Sequence, residues 1–223
     1  MARELWGRVA VGTRVVGCVP AEFLVSWTHL LLSGLRPGDA VLPFPIRAYH
    51  HAAANELVRY ARKAGADSLL FVDSDQVFRH DALAKMRDNK YSQEFDVVMG
   101  LIVRRKTCDP IIMRAAGYDG ERPLYEYVGE WQHGHVVPVD CLGLGFTLVR
   151  MAVFDRLSEP WFSFPAESDA VGEDVWFSHK ARAAGLRLAV DTSVEVGHLV
   201  VEPLTASSVR RARGTEVGDA DAA

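Results

Sequence analysis

The chain is poor in cysteine. Cys18, Cys108 and Cys141 are the only three among 223 residues, and no two sit in a C-x-x-C pair. That argues against a disulfide framework or a structural zinc site, and buried free thiols in a reducing compartment are the expectation. Long apolar runs are also missing. A membrane helix needs about 18 apolar residues, whereas the best stretch, Phe23 to Leu35, is interrupted by Ser26, His29 and Ser33. Arg3, Glu4, Arg8 and Arg14 break up the start of the chain. No secretory apolar region is therefore read there, and a cytoplasmic location is expected, with peripheral attachment to a membrane enzyme complex still compatible. Excess charge of either sign is absent: 25 Lys and Arg against 29 Asp and Glu give −4. Without a global basic field, no specific nucleic-acid partner is expected. Internal repeats and low-complexity linkers are lacking too. What remains, 49% hydrophobic and 24% charged residues, is the composition of one ordinary globular domain.

Hydrophobic periodicity supplies the elements. Thr13 to Val19 reads as a buried strand ending at Pro20, followed by a helix over Ala21 to Ser33. Ala40 to Phe44 reads as a strand and His51 to Ala64 as an amphipathic helix closed by Gly65. Ser68 to Val72 reads as a strand covered on both faces, Asp81 to Asp88 as a helix and Asp96 to Gly100 as a strand. Leu101 to Val139 is less regular. Cys141 to Val149 reads as a Gly-interrupted strand and Ala152 to Leu157 as a short helix. Gly172 to Ala184 reads as a helix before Gly185, and Leu186 to Val190 as a strand leading into Val194 to Leu199. Alternating strands and helices predict an α/β fold with a mostly parallel sheet, with ligands at the carboxyl ends of its strands.

Asp73-Ser74-Asp75 follows the most apolar strand directly. Alternate residues of an extended segment point the same way, so both acids can address one point. Two such oxygen donors suit Mg²⁺ or Mn²⁺ shared with phosphate oxygens; the alternative is simple turn chemistry. Gly172-Glu173-Asp174 opens a helix, where acids favour the helix dipole or, alternatively, serve as a general base. His198 gains interest only as a ligand beside Asp75.

The ordered set FVDSDQVF (71–78), VMGLIVRR (98–105), CLGLGFTLVR (141–150), PWF (160–162), GEDVWFSHKARAAG (172–185) and VGHL (196–199) resembles small nucleotide-sugar glycosyltransferases of the GT-A fold. It is similar to the family-two-like enzymes common in bacteria and phages. The resemblance implies a single Rossmann-like GT-A domain over 1–202, with 203–223 as a flexible tail. It also implies metal-dependent transfer of a sugar from a UDP- or GDP-sugar to a hydroxyl acceptor. Inverting and retaining members carry similar acid pairs, so the stereochemistry stays open, with inversion preferred and Asp174 only binding the acceptor if configuration is retained. Asp75 and His198 would hold Mn²⁺ or Mg²⁺, and Asp73 would contact the metal or the ribose. Asp174, with Glu173, would face the acceptor. Pro20, Asn55, Asp73 and Ser74 would line the donor site. The family's Arg-Asn dipeptide reads Ala54-Asn55 here, which leaves Arg47 as a guessed substitute.

Arg105, or Arg104, is a further candidate for the diphosphate, with a solvated strand end as the alternative. Gly143 and Gly145 permit close approach to the sugar, or mark a kinked strand. Tyr125, Tyr127, Trp131, Trp161 and Phe162 are candidate sugar-stacking aromatics, although core packing is expected for half or more of them. His133 and His135 would share a strand face, but they read as a loop or acceptor-site pair. Arg210, Arg211 and Arg213 are nearly cancelled by Glu216, Asp219 and Asp221. The acceptor is expected to be gripped by the stretch Cys108 to Pro138, by the C-terminal segment or by a partner. A nucleotidyltransferase is the chemical rival, but CVPAEF after the first strand lacks the Gly-rich basic loop it needs. A non-catalytic nucleotide- or carbohydrate-binding module is the rival from another class.

Overall fold

The structure, a computed structural model, describes residues 6–15, 17–45, 49–105, 107–120, 122–165 and 171–200. Arg47, the 203–223 tail and its arginines lie outside the described residues.

In chain order, β1 (Val9–Arg14) precedes α1 (Ala21–His29), whose end widens into a π-helical turn over Leu30–Gly34. Next come β2 (Ala40–Val41), α2 (His50–Lys63), β3 (Ser68–Asp73) and β4 (Gln76–Phe78). α3 (Ala82–Asp88) and β5 (Val97–Ile102) follow. An antiparallel hairpin, β6 (Met113–Asp119) and β7 (Arg122–Tyr127), stands apart as a second sheet. β8 (Val136–Val139), β9 (Phe146–Arg150), α4 (Met151–Arg156), α5 (Glu173–Ala183) and β10 (Leu188–His198) complete the described chain.

The main sheet has eight strands, in the order β2-β1-β3-β9-β5-β10-β4 with β8 beside β10. β1, β2, β3, β5 and β10 run one way, and β4, β8 and β9 run the other. The mostly parallel sheet expected from the sequence is thus present, with β9 inserted antiparallel between β3 and β5. β3 is central and apolar: Leu69, Leu70, Phe71 and Val72 are fully buried. Burying each such side chain contributes roughly 1.5–3 kcal/mol. α2 covers this sheet with Leu57, Val58 and Ala61, all buried. Gly65 and Gly185 take φ values of 66° and 71° just past α2 and α5, the left-handed turn that ends a helix.

Several boundaries differ from the sequence expectation. The first strand is Val9–Arg14 rather than Thr13 to Val19, because β1 must stay in register with β3, pairing Arg14 with Asp73. Cys141 to Gly145 is a loop, and the strand begins at Phe146. β10 is one long strand with a register shift between Asp191 and Glu195. Asp191 sits fully buried at that irregularity and accepts hydrogen bonds from Asn89, Ser92 and Ser193. The thiols divide as well: Cys141 is buried as expected, whereas Cys18 and Cys108 are exposed.

Candidate active site

The carboxyl ends of β1, β3, β5 and β10 share one edge of the sheet, and α5 presents its N-terminus there. A cleft of about 400 Å³ opens at this edge. Its walls bring together five of the residues picked from the sequence: Pro20, Ser74, Asp73, Asp75 and Arg105. They also include Arg14, Cys18 and His50, which sequence reasoning missed.

Arg14 is the centre of the arrangement. Its side chain is only 4% exposed. Nε donates to Asp73 Oδ1 and Nη2 to Asp73 Oδ2, both at 2.7 Å, and Nη1 donates to Glu173 Oε1 at 2.8 Å. Burial works against this charge, but the Asp73 and Glu173 carboxylates outweigh it and raise the guanidinium pKa.

The two acids of D-S-D therefore do not address one point. Asp73 ends β3 and gives both oxygens to Arg14, while Ser74 and Asp75 form a turn into β4. A turn breaks the alternation that an extended segment would have imposed. Asp75 instead faces His198, with Oδ2 3.5 Å from Nε2, and its Oδ1 accepts from Gln76 Nε2 at 3.0 Å. Strand pairing fixes this meeting, because His198 lies opposite Gln76 across β10 and β4. His198 Nδ1 lies 3.0 Å from the Val103 carbonyl, which places the proton on Nδ1 and leaves the Nε2 lone pair facing Asp75. Burial, together with the Arg105 charge, lowers the His198 pKa, which favours the neutral imidazole that a metal needs. Arg105 pairs with Asp75 Oδ2 and donates from Nε to His198 Nε2 at 2.7 Å.

Among the described residues no group of three or more His, Cys, Asp or Glu is placed to hold a metal. Asp75 and His198 supply two donors, so a divalent ion here needs further oxygens from a ligand such as a diphosphate. The charge balance suits one: Asp73, Asp75, Glu173 and Asp174 against Arg14 and Arg105 leave a formal −2 when all are ionised.

Asp174 stands at the first turn of α5. Burial first, then the Glu173 charge, push its pKa up from 3.8 to about 6, against the opposing pull of Arg14 and the Val175 N–H. That value suits a group that accepts a proton near neutral pH. Two glycines flank its carboxylate, and only the first, Gly172, is sterically required. A Cβ on Gly172 would stand 2.6 Å from Asp174 Oδ1, and one on Gly143 would stand 3.6 Å from Oδ2. Gly145 packs under the site instead: its carbonyl accepts the Asp73 N–H at 2.8 Å, and an added Cβ would meet Ile102 at 2.9 Å and Gln76 at 3.2 Å.

Other picks are placed elsewhere. Asn55 is buried and clamps the backbone of Phe162, donating to its carbonyl at 2.7 Å and accepting from its N–H at 3.1 Å. It is not on the cleft wall. Trp161 and Phe162 are corrected from sugar-stacking candidates to core residues, 1% and 0% exposed. Phe162 stacks on Phe177 with ring centroids 4.6 Å apart, and Trp161 Nε1 donates to the Phe154 carbonyl at 2.9 Å. Trp131 is partly buried against the core, whereas Tyr127 lies on the hairpin under the Arg104 guanidinium. Tyr125 is half-buried on the same hairpin, and burial raises its pKa to about 12. His133 lies in a turn and pairs with Glu195, not with His135.

Comparison of the structure with solved proteins settles the fold. A197 from STIV matches over 87% of this chain and 86% of its own, with a TM-score of 0.61 and 19% identity. The chain has a GT-A-type fold. GalNAc-T7, crystallised with UDP, GalNAc and Mn2+, matches with a TM-score of 0.53 and 13% identity. That match covers 87% of this chain and 44% of GalNAc-T7, so the chain spans less than half of that protein's length. No protein-family model matches the chain. No curated protein matches it in sequence. Among the described residues no helix is long and apolar enough to cross a membrane.

Proposed function

We propose that the chain is a metal-dependent glycosyltransferase that moves a sugar from a UDP- or GDP-sugar to a hydroxyl acceptor. The reading rests on the charge layout at the strand ends: a cleft lined by Asp73, Asp75, Arg14 and Arg105, with His198 facing Asp75 and the raised-pKa acid Asp174 next to the Glu173 that Arg14 holds. GalNAc-T7, of like fold, carries UDP and Mn2+, which supports this choice of donor and ion. The catalytic domain spans 1–202.

Asp75 and His198 would hold Mn²⁺ or Mg²⁺, and the ion supplies positive charge that stabilises the departing diphosphate. Arg105 faces the same phosphates from the cleft wall and offers charge-assisted hydrogen bonds. Pro20 and Ser74 line the donor side. Arg14 holds Asp73 and Glu173 in place and keeps Glu173 occupied, so the base is Asp174. Asp174 accepts the acceptor hydroxyl proton through Oδ2, since its Oδ1 is held by the Val175 N–H. Deprotonated acceptor oxygen then attacks the face opposite the diphosphate, and the anomeric centre inverts.

A screen of nucleotide-sugars for Mn²⁺-dependent transfer or hydrolysis tests the reading, with Asp75→Ala as the control. Turnover of one UDP- or GDP-sugar, abolished in Asp75→Ala, is expected. If no nucleoside diphosphate raises the thermal midpoint with Mn²⁺, the donor site is refuted. If binding occurs without turnover of any donor, the chain is a binding module rather than an enzyme.

A further inference from the structure

We infer that Asp75 and His198 form a seat for a single cation, which Arg105 fills from within the chain, and that a divalent metal takes this seat only by releasing Arg105 to the donor diphosphate. The inference rests on the proposed reading that metal and nucleotide meet in this cleft.

The geometry of the seat carries it. Asp75 Oδ2 and His198 Nε2 are 3.5 Å apart and turn their lone pairs to the same space. Both contact one guanidinium: Arg105 Nη2 pairs with Oδ2, and Arg105 Nε donates to Nε2 at 2.7 Å. The imidazole cannot avoid this competition, because the Val103 carbonyl holds its other nitrogen as the donor. A lone pair that accepts the Arg105 N–H is not free to bind a metal, so the two cations exclude each other.

The three residues also differ in freedom. His198 is fixed by its register opposite Gln76, and Asp75 is braced by Gln76 Nε2. Arg105 lies beyond the end of β5, in a turn closed by the Cys108 N–H on the Arg104 carbonyl, and its side chain is 51% exposed. The arginine is thus the least enclosed of the three. Displaced from the seat, it stays on the cleft wall, where a diphosphate offers paired oxygens to its fork.

Metal and nucleotide are coupled as a consequence. Metal alone must displace a resident cation and gains nothing from the arginine it frees. Metal with a diphosphate gains the released guanidinium as a new contact, so each ligand strengthens the other.

Titration of Mn²⁺ by electron paramagnetic resonance tests this, on the wild-type chain, Arg105→Gln and Arg105→Lys, with and without UDP or GDP. Arg105→Gln is expected to bind Mn²⁺ alone about five-fold more tightly, the loss of one exposed ion pair. Its affinity for UDP or GDP at saturating Mn²⁺ is expected to fall about ten-fold, as for a lost charged hydrogen bond. Arg105→Lys, which keeps the charge and loses the fork, is expected between the two. Unchanged thermal midpoints in the absence of ligand show that the variants are folded. If Arg105→Gln binds Mn²⁺ alone no more tightly than wild type, the exchange is refuted while the donor reading stands. If wild type binds no Mn²⁺ with either nucleotide, both fall.

Discussion

Arg14 and Asp73 close a two-pronged ion pair, Nε to Oδ1 and Nη2 to Oδ2, with both contacts at 2.7 Å. They are register partners on neighbouring parallel strands. The pair joins the ends of β1 and β3, and Glu173 on the third arginine nitrogen joins both to α5.

Removing the arginine alone leaves two partly buried acids without their cation. Arg14→Met is expected to cost about 3 kcal/mol of stability. Arg14→Lys recovers less than half of it, because an ammonium cannot serve three oxygens in this fork geometry. Urea denaturation midpoints check both. A fully stable Arg14→Met would mean that the ion pair is energetically idle.

Asp174 gives a pH dependence of known sign. Its pKa in the fold is raised from 3.8 to about 6, so transfer is expected to rise with pH through about 6 and then level off. Stability runs the other way. The contribution present below the unfolded pKa is lost as pH climbs through the folded one, because the buried carboxylate must ionise. Asp174→Asn is therefore expected to lose transfer, to keep nucleotide binding, and to melt at a higher temperature than wild type at pH 8. That gap narrows as pH falls to about 4. Wild-type transfer by Asp174→Asn would refute its role as the base.

Gly172 supplies a test of geometry alone. Its φ of −63° accepts any residue, but a Cβ would stand 2.6 Å from Asp174 Oδ1. Gly172→Ala is expected to push the carboxylate aside, lowering transfer at least about ten-fold while nucleotide affinity and melting temperature stay near wild type. Steady-state kinetics beside calorimetry separate the two effects. Unimpaired kcat would show that Asp174 need not sit where it does.

Asn55 distinguishes support from contact. Asn55→Ala removes two hydrogen bonds to the Phe162 backbone and is expected to cost about 2 kcal/mol. Nucleotide affinity, measured well below the melting transition, is expected to stay the same. A large loss of affinity in the folded variant would instead place Asn55 at the donor.

Much of this was legible in the sequence because it is written in local pattern. β3 is a run of apolar residues, α2 carries a clean amphipathic stripe, and the acids follow directly at the element ends. Arg14 was not legible. Reading the first strand as Thr13 to Val19 put Arg14 inside a strand, whereas β1 ends on it. Only pairing with β3 reveals a charged residue at the same sheet edge as Asp73. The hairpin of β6 and β7 escaped notice because its strands are mostly exposed and show no apolar alternation. Trp161 and Phe162 resemble binding aromatics in sequence, and burial against α4 and α5 is a tertiary fact that no local pattern records.

The irregularity in β10 bears on which length changes the chain can tolerate. Between Asp191 and Glu195 the strand carries extra residues while its partner β5 steps only from Gly100 to Leu101. Side chains on a strand alternate faces, so gaining or losing one residue there would turn His198 to the other side of the sheet. Asp75 would then face an empty position although every residue of the site was still encoded. An insertion or deletion at Thr192 to Val194 is thus equivalent to deleting a ligand, whereas one in the exposed hairpin leaves the parity of β10 untouched.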